Sequence, residues 1–159
     1  MILKPDYNVN SIFDINFNEL SLLGVKAVLF DLDSTVMPSK SGKYPDKVLE
    51  LFEELKKNFT IAIISNNKKQ NYIEKVQALS DFKVIGRANK PSPKVMREYV
   101  KSINLTPKEV VVVGDRPLTD ILAGKLLGAK TVLVDSITKD TENLPTRFVR
   151  KLERLSIRK

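Results

Sequence analysis

The sequence predicts an α/β domain of three layers, in which helices cover both faces of a parallel five-stranded sheet. Short apolar runs alternate along the chain with segments of helical periodicity, which is the pattern of strand–helix–strand units. The connections between these segments are short, so successive elements are expected to be neighbours. Residues 110–113 are all valine, and a continuous apolar run of this kind indicates a strand buried on both faces.

The first half of the chain supplies two strands and two helices. Residues 26–31 are rich in Val, Leu and Phe and predict a core strand. Residues 45–58 have a proline at their start and an apolar stripe at helical spacing, so they predict a helix. Residues 59–64 predict a second strand. The Ser–Asn–Asn that follows favours a turn or helix cap, and residues 68–79 predict the next helix.

The second half repeats this alternation. A short third strand over residues 82–85 precedes a helix over 93–103, and the all-valine strand follows. A helix over 119–127 is expected to end at Gly128, and residues 130–134 predict a fifth strand. No repeat, low-complexity block or linker divides the chain, so all 159 residues are predicted to form one Rossmann-like domain.

The composition restricts the chemistry that the chain can perform. Hydrophobic residues make up 42% and charged residues 29%, which is typical of a folded globular protein. Without cysteine there is no disulfide, thiolate nucleophile or Cys-based zinc site. Because the chain has no histidine, acid–base chemistry near neutral pH must use carboxylates, lysine, tyrosine or metal-bound water. No apolar run resembles a signal peptide or a membrane span, so a cytoplasmic location is expected.

Positive charge is concentrated at the C-terminal end of the chain. The net charge is +8, and residues 145–159 are expected to form an amphipathic helix with an apolar stripe of Phe148, Leu152 and Leu155. Two interpretations remain open: a helix packed on the domain with a solvated outer face, or a surface that binds an anionic membrane or nucleic acid. Besides one acid, Glu153, this segment contains the basic residues Arg147, Arg150, Lys151, Arg154, Arg158 and Lys159.

Polar side chains follow four of the five predicted strands, and each of them alone is typical of a turn. The carboxyl ends of parallel strands, however, meet at one edge of the sheet, where ligands bind. Carboxylates gathered there would repel one another without a divalent cation, and oxygen ligands without histidine or cysteine favour Mg²⁺. A lysine beside that ion indicates a phosphate group as the substrate. In chain order these residues are Asp31, Asp33, Ser65, Asn66, Lys90 (after the third strand), Asp115 and Asp135.

Four short motifs carry a family resemblance. They are Asp31-x-Asp33-x-Thr35, Ser65, Lys90 before a proline, and GDRPLTD at residues 114–120. In this order they resemble the motifs of the haloacid-dehalogenase-like (HAD) phosphatases. The segments FDINFNELSLLGVKAVLFDLDSTV, ANKPSP and GDRPLTDILAGKLLG resemble more closely the IIIA-type YqeG group, which is related to phosphatidylglycerophosphate phosphatases of mitochondria and plastids. Ser34 and the pair Lys125-Leu126 depart from the pattern of that group.

The resemblance implies a role for each matching residue. Asp31 would attack phosphorus and form an aspartyl-phosphate, while Asp33 would protonate the leaving oxygen and later accept a proton from water. Magnesium would be held by the carboxylates of Asp31 and Asp115 and by the backbone carbonyl of Asp33. The oxygens of the phosphate would be held by Ser65, Asn66 and Lys90.

Three further residues are expected to support the site. Thr35 is expected to fix the backbone turn of the first motif. Asp120 is expected to orient its neighbours or a metal-bound water rather than to contact the substrate. Arg116 has two open interpretations, a substrate contact or an exposed loop residue.

The spacing of the motifs leaves no room for a cap domain, because residues 37–45 and 65–90 are too few to fold separately. An uncovered site suits a phosphate on a large molecule. The open alternative is that a partner subunit covers the site. Together with the resemblance and the basic tail, this favours phosphatidylglycerophosphate as the substrate. The lipid would be hydrolysed to phosphatidylglycerol at the inner face of the cell membrane.

Other activities remain open at this point. The same site would serve for a phosphoprotein, a polynucleotide end or a small phosphorylated metabolite. A basic nucleic-acid-associated protein with a vestigial site is a further alternative, although Phe and Tyr lie mainly on apolar stripes rather than in base-stacking pairs. A phospho-accepting receiver domain also gathers aspartates around Mg²⁺, but it needs an acceptor aspartate after the third strand, and residues 82–86 lead to no acid.

Overall fold

The structure, a computed structural model, describes residues 4–137 of the chain, and the predicted basic helix over residues 145–159 lies outside them. Six strands form one sheet in which every neighbouring pair is parallel. They are β1 (Tyr7–Asn8), β2 (Ala27–Phe30), β3 (Thr60–Ile64), β4 (Lys83–Ile85), β5 (Val110–Gly114) and β6 (Lys130–Leu133). Their order across the sheet is β1-β6-β5-β2-β3-β4, which places β2 and β5 near the centre.

The four helices predicted within residues 4–137 are present, with shorter bounds than the sequence indicates. Gly128 has a φ of 94° and ends the last of them, as expected from its freedom to adopt a left-handed backbone. That helix is preceded by a π-helical turn over Pro117–Ile121, which the sequence did not predict. The helices within residues 4–137 are α1 (Phe17–Leu22), α2 (Asp46–Leu55), α3 (Gln70–Ala78), α4 (Lys94–Ser102) and α5 (Leu122–Leu127).

The prediction of five strands is wrong by one, because β1 adds a sixth at the edge of the sheet. β1 is too short for its sequence to show an alternating pattern. It forms by parallel pairing with β6, which is distant in sequence, so no local pattern predicts it. The carboxylate of Asp6, just before β1, accepts hydrogen bonds from the backbone N–H of Thr131 (2.8 Å) and from Nζ of Lys125 (3.2 Å). Lys125, one of the departures from the resembled group, therefore helps to hold this edge strand.

Both faces of the sheet are buried, which confirms the three-layer architecture. Val28 and Phe30 of β2 pack in one apolar cluster with Phe52 of α2, while Leu29 points to the opposite cluster with Met96 of α4. Removing these side chains from water is the main stabilising contribution of such a core. Polar chemistry is therefore confined to the ends of the strands.

The carboxyl edge of the sheet has no inserted domain above it in the part of the chain that the structure describes. A loop without regular helix joins β2 to α2, and between β3 and Lys90 the chain forms only α3 and β4. Over residues 4–137, no helix is long and apolar enough to cross a membrane.

Candidate active site

The carboxyl ends of three adjacent strands bring the predicted site residues together. Asp31 directly follows β2, Ser65 follows β3 and Asp115 follows β5. The Asp31 N–H donates to the carbonyl of Val113 at 2.9 Å, which continues the pairing of β2 with β5 beyond the last strand residue. Because β2 lies between β3 and β5, Asp31 occupies the middle of this edge.

A buried ammonium group lies at the centre of the site. Nζ of Lys90 donates to Oδ1 of Asp31 at 2.8 Å, to Oδ1 of Asp120 at 2.6 Å and to the carbonyl of Ile64 at 2.8 Å. Its three protons are thus all used, as burial requires. Burial alone would lower the pKa of Lys90, but attraction to Asp120 and Asp31 outweighs burial, and the pKa lies above its ordinary value.

Three carboxylates gather here, and two of them, Asp31 and Asp120, bond to this ammonium. Oxygens of Asp31, Asp115 and Asp120 lie within 4.8 Å of one another, and we call these residues with Lys90 the Lys90 cluster. The hydroxyl of Thr35 lies 3.2 Å from Oδ2 of Asp31 and 3.0 Å from Oδ1 of Asp115, so its one proton is shared between two carboxylates. This all-oxygen donor set fits a hard divalent cation.

Asp120 is closer to the centre of the site than the sequence indicated. Its carboxylate joins the cluster through the π-helical turn, where its Oδ2 also accepts the N–H of Arg116 at 3.2 Å. Burial, reinforced by the charge of Asp31 and opposed by Lys90, raises the pKa of Asp120 to about 6. Gly114 makes this approach possible, since a Cβ there would lie 2.3 Å from the side chain of Asp120.

Ser65 and Asn66 hold the loops that carry Lys90. The side chain of Asn66 accepts the Lys90 N–H at 2.7 Å and donates to the Lys90 carbonyl at 3.0 Å, so it positions the backbone of that lysine. The hydroxyl oxygen of Ser65 accepts the N–H of Asn67 at 3.0 Å. The hydroxyl proton of Ser65 is not used in that contact, and Ser65 itself is buried.

The Asp33 carboxylate is held apart from the three clustered carboxylates. Its Oδ1 accepts the hydroxyl of Tyr72, on α3, at 2.7 Å and the backbone N–H of Lys40 at 2.9 Å. We call residues 33–42, which surround this carboxylate, the Asp33 loop. Burial, together with the bond to Asp33, raises the pKa of Tyr72 above its ordinary value. The sequence indicated nothing of Tyr72 beyond its place in a helical pattern.

Asp135, the last polar residue at a predicted strand end, lies beside the site rather than in the cluster. It lines a pocket of about 280 Å³ together with Thr35, Asn10 and Ser136. Arg116 is half-buried and follows Asp115 directly. Among the described residues, the structure therefore gathers Asp31, Asp115, Asp120, Lys90 and Thr35, with Asp33 in the adjoining loop.

Comparisons with known proteins find phosphatases that are similar to this chain. The family model described as "Mitochondrial PGP phosphatase" matches residues 1–138. "Probable phosphatase YqeG" of Bacillus subtilis is 32% identical over 94% of this chain and 87% of its own length. The mitochondrial phosphatidylglycerophosphatase of Saccharomyces cerevisiae is 28% identical over 96% and 91%. The crystal structure of a HAD phosphatase from Thermococcus onnurineus superposes with a TM-score of 0.59 at 16% identity, covering 83% of this chain and 98% of that one, so it shares the fold.

Proposed function

This chain belongs to the PGP phosphatase family of HAD-type phosphatases, and we propose that it hydrolyses phosphatidylglycerophosphate to phosphatidylglycerol. That it is a phosphatase follows from its family. The lipid substrate is supported by the names of the matching family and of the yeast relative. It is also supported by the open carboxyl edge, which leaves the site accessible to a phosphate on a large molecule.

The observation that carries the mechanism is the difference in exposure among the clustered carboxylates. The side chain of Asp31 is 16% exposed and that of Asp120 is 2% exposed, while Asp115 is fully buried. Asp31 is thus the clustered carboxylate that a phosphate group reaches first. Attack by its oxygen on phosphorus would form an aspartyl-phosphate, so one difficult displacement would become two easier ones.

The remaining residues would transfer protons, bind the phosphate group or position other side chains during the two steps. Asp33 would give its proton to the leaving oxygen and then take a proton from the water that releases the phosphate. Ser65 would donate its hydroxyl proton to a phosphate oxygen. Lys90, whose three protons are donated within the protein, would act through its positive charge, which offsets the negative charge of the clustered carboxylates and the phosphate, with Asn66 keeping the Lys90 backbone in place. Thr35 would orient the carboxylates of Asp31 and Asp115.

Mg²⁺ is the proposed cofactor, because hard oxygen ligands suit it and neither histidine nor cysteine is present. It would be held by the carboxylates of Asp31 and Asp115 and by the backbone carbonyl of Asp33, with the Asp120 carboxylate beside them. When bound, the ion would offset the negative charge of the phosphate group.

Replacing the nucleophile tests this proposal most directly. We expect Asp31→Asn to lower phosphate release from phosphatidylglycerophosphate by about a thousandfold or more, because an amide does not form the covalent intermediate. Release by the unsubstituted chain should need Mg²⁺ and stop with a chelator. Asp81→Asn, on an exposed residue outside the site, is the matched control and should retain activity. Equal turnover by Asp31→Asn and the unsubstituted chain would overturn the nucleophile assignment.

An anionic membrane surface is the proposed partner of the basic segment at residues 145–159. Anionic headgroups attract cationic amphipathic segments, and salt weakens that attraction. We expect removal of residues 145–159 to reduce co-sedimentation with vesicles of phosphatidylglycerol and phosphatidylcholine, and raised salt to do the same for the full chain. Equal vesicle binding with and without the segment would contradict this assignment.

A further inference from the structure

Tyr72 is a side chain outside the family motifs that contacts the proposed acid–base residue. Its hydroxyl lies 2.7 Å from Oδ1 of Asp33, although 39 residues separate the two in sequence. The same hydroxyl oxygen accepts the N–H of Gly42 at 3.2 Å and lies 3.4 Å from Sδ of Met37. One hydroxyl on α3 thus contacts the start, the middle and the end of the Asp33 loop.

The donors around Asp33 restrict where its proton can lie. Oδ1 accepts two hydrogen bonds, from the Tyr72 hydroxyl and from the Lys40 N–H at 2.9 Å. A carboxyl oxygen offers two lone pairs in its plane, so these two donors leave no position for a proton on Oδ1. A proton carried by Asp33 therefore belongs on Oδ2.

We propose that Tyr72 is a positioning residue which keeps Oδ2 of Asp33 as the oxygen that gives and takes the proton. This inference rests on the proposed function. In the first step the bond between phosphorus and the leaving oxygen breaks, a bond from Asp31 to phosphorus forms, and the Oδ2 proton moves to the leaving oxygen. In the second step water adds its oxygen to phosphorus, the Asp31–phosphorus bond breaks, and a proton of that water returns to Oδ2.

The packing of α3 against the loop also favours this role. A Cβ added at Gly42 would lie 3.0 Å from Nζ of Lys75 and 3.4 Å from Cε1 of Tyr72, so α3 and the loop are in close contact there. The φ of Gly42 is 66°, a left-handed conformation that suits glycine. The loop backbone is therefore shaped to bring its N–H to the Tyr72 hydroxyl.

The dependence of the rate on the leaving group separates a positioning role from a general structural one. The 4-nitrophenolate ion departs readily without a proton, whereas phenolate and the alkoxide of a lipid headgroup need one. The Tyr72→Phe variant removes only the hydroxyl. We expect it to lower kcat/KM about tenfold for phenyl phosphate and phosphatidylglycerophosphate but by less than about twofold for 4-nitrophenyl phosphate.

Two further variants complete the experiment. Tyr44→Phe is the matched control, because the Tyr44 hydroxyl bonds to Ser80 outside the site; it should leave the ratio of the two aryl esters unchanged. Gly42→Ala strains the loop while keeping the Tyr72 hydroxyl and should shift that ratio in the same direction as Tyr72→Phe.

An equal fall of kcat/KM on all substrates in Tyr72→Phe, or no fall, overturns the positioning role of Tyr72 but not the proposed function. An unsubstituted chain that hydrolyses none of the esters overturns the proposed function and this inference with it.

Discussion

The two sides of the site are built differently. The Lys90 cluster lies at the ends of central strands, and the Lys90 side chain is 2% exposed with all three ammonium protons donated. The Asp33 loop has exposed residues at 39–41, and helix α3 holds its carboxylate through a single hydroxyl. The side proposed to bind phosphate is thus fixed by the core, whereas the side proposed to transfer protons depends on a loop whose tip is exposed.

This difference has a physical origin. Charges that are buried together must satisfy one another, and removal of one leaves the others uncompensated in a low-dielectric environment. A half-buried carboxylate on a loop keeps access to water and costs less to perturb. Substitutions in the cluster should therefore alter folding stability and activity together, while those in the loop should alter activity more than stability.

The largest effect is expected from Lys90→Met. Losing the ammonium leaves Asp31 and Asp120 buried without their cation, which should lower the free energy of unfolding by about 3–5 kcal/mol and abolish phosphate release. Urea denaturation measures the first effect. Adding Asp120→Asn to Lys90→Met removes one unpaired charge and should restore part of the stability but none of the activity.

Lys56, a partly exposed lysine outside the site, provides the matched control. It pairs with Glu53 and Asp81 at the surface, so Lys56→Met should cost less than about 1 kcal/mol and leave activity unchanged. Equal losses of stability from Lys90→Met and Lys56→Met would show that the charges of the Lys90 cluster do not depend on one another.

A medium effect is expected from Gly114→Ala. The added methyl group would lie 2.3 Å from Asp120, so the carboxylate must move, at a cost of about 1–3 kcal/mol and with a clear loss of activity. Gly24→Ala is the control, because no heavy atom beyond the adjoining residues lies within 4 Å of the added group and only its φ of 96° is strained. It should cost about 1 kcal/mol without loss of activity. Full activity in Gly114→Ala would mean that the position of Asp120 is unimportant.

The smallest effect is expected from Lys40→Gly in the Asp33 loop. Lys40 has a φ of 61°, and glycine adopts this conformation without strain, so stability should rise by about 0.5 kcal/mol. The backbone N–H to Asp33 is retained, and the ratio of the aryl esters should not change. Lys43 is an exposed residue that directly follows the Asp33 loop and has no left-handed φ. Lys43→Gly should therefore lower stability slightly. A changed ester ratio in Lys40→Gly would mean that the lysine side chain itself serves Asp33.

The sequence alone determined the layers, the four successive strand–helix units from β2 to α5 and the edge of the sheet at which the candidate site lies. Apolar runs mark strands because burial favours them, and parallel strands necessarily gather their carboxyl ends at one edge. This rule and the family motifs placed Asp31, Asp115 and Lys90 near one another, whereas the rule also placed Asp135 at this edge, and that residue lies beside the cluster.

Only the tertiary structure decided which side chains meet. Asp120 joins the carboxylates because a π-helical turn and the absence of a side chain at Gly114 allow it to approach. Asn66 holds the backbone of Lys90, and Tyr72 reaches Asp33 from another element. Periodicity reports how each segment is buried, but a contact between distant residues depends on the path of the whole chain, which no local pattern contains.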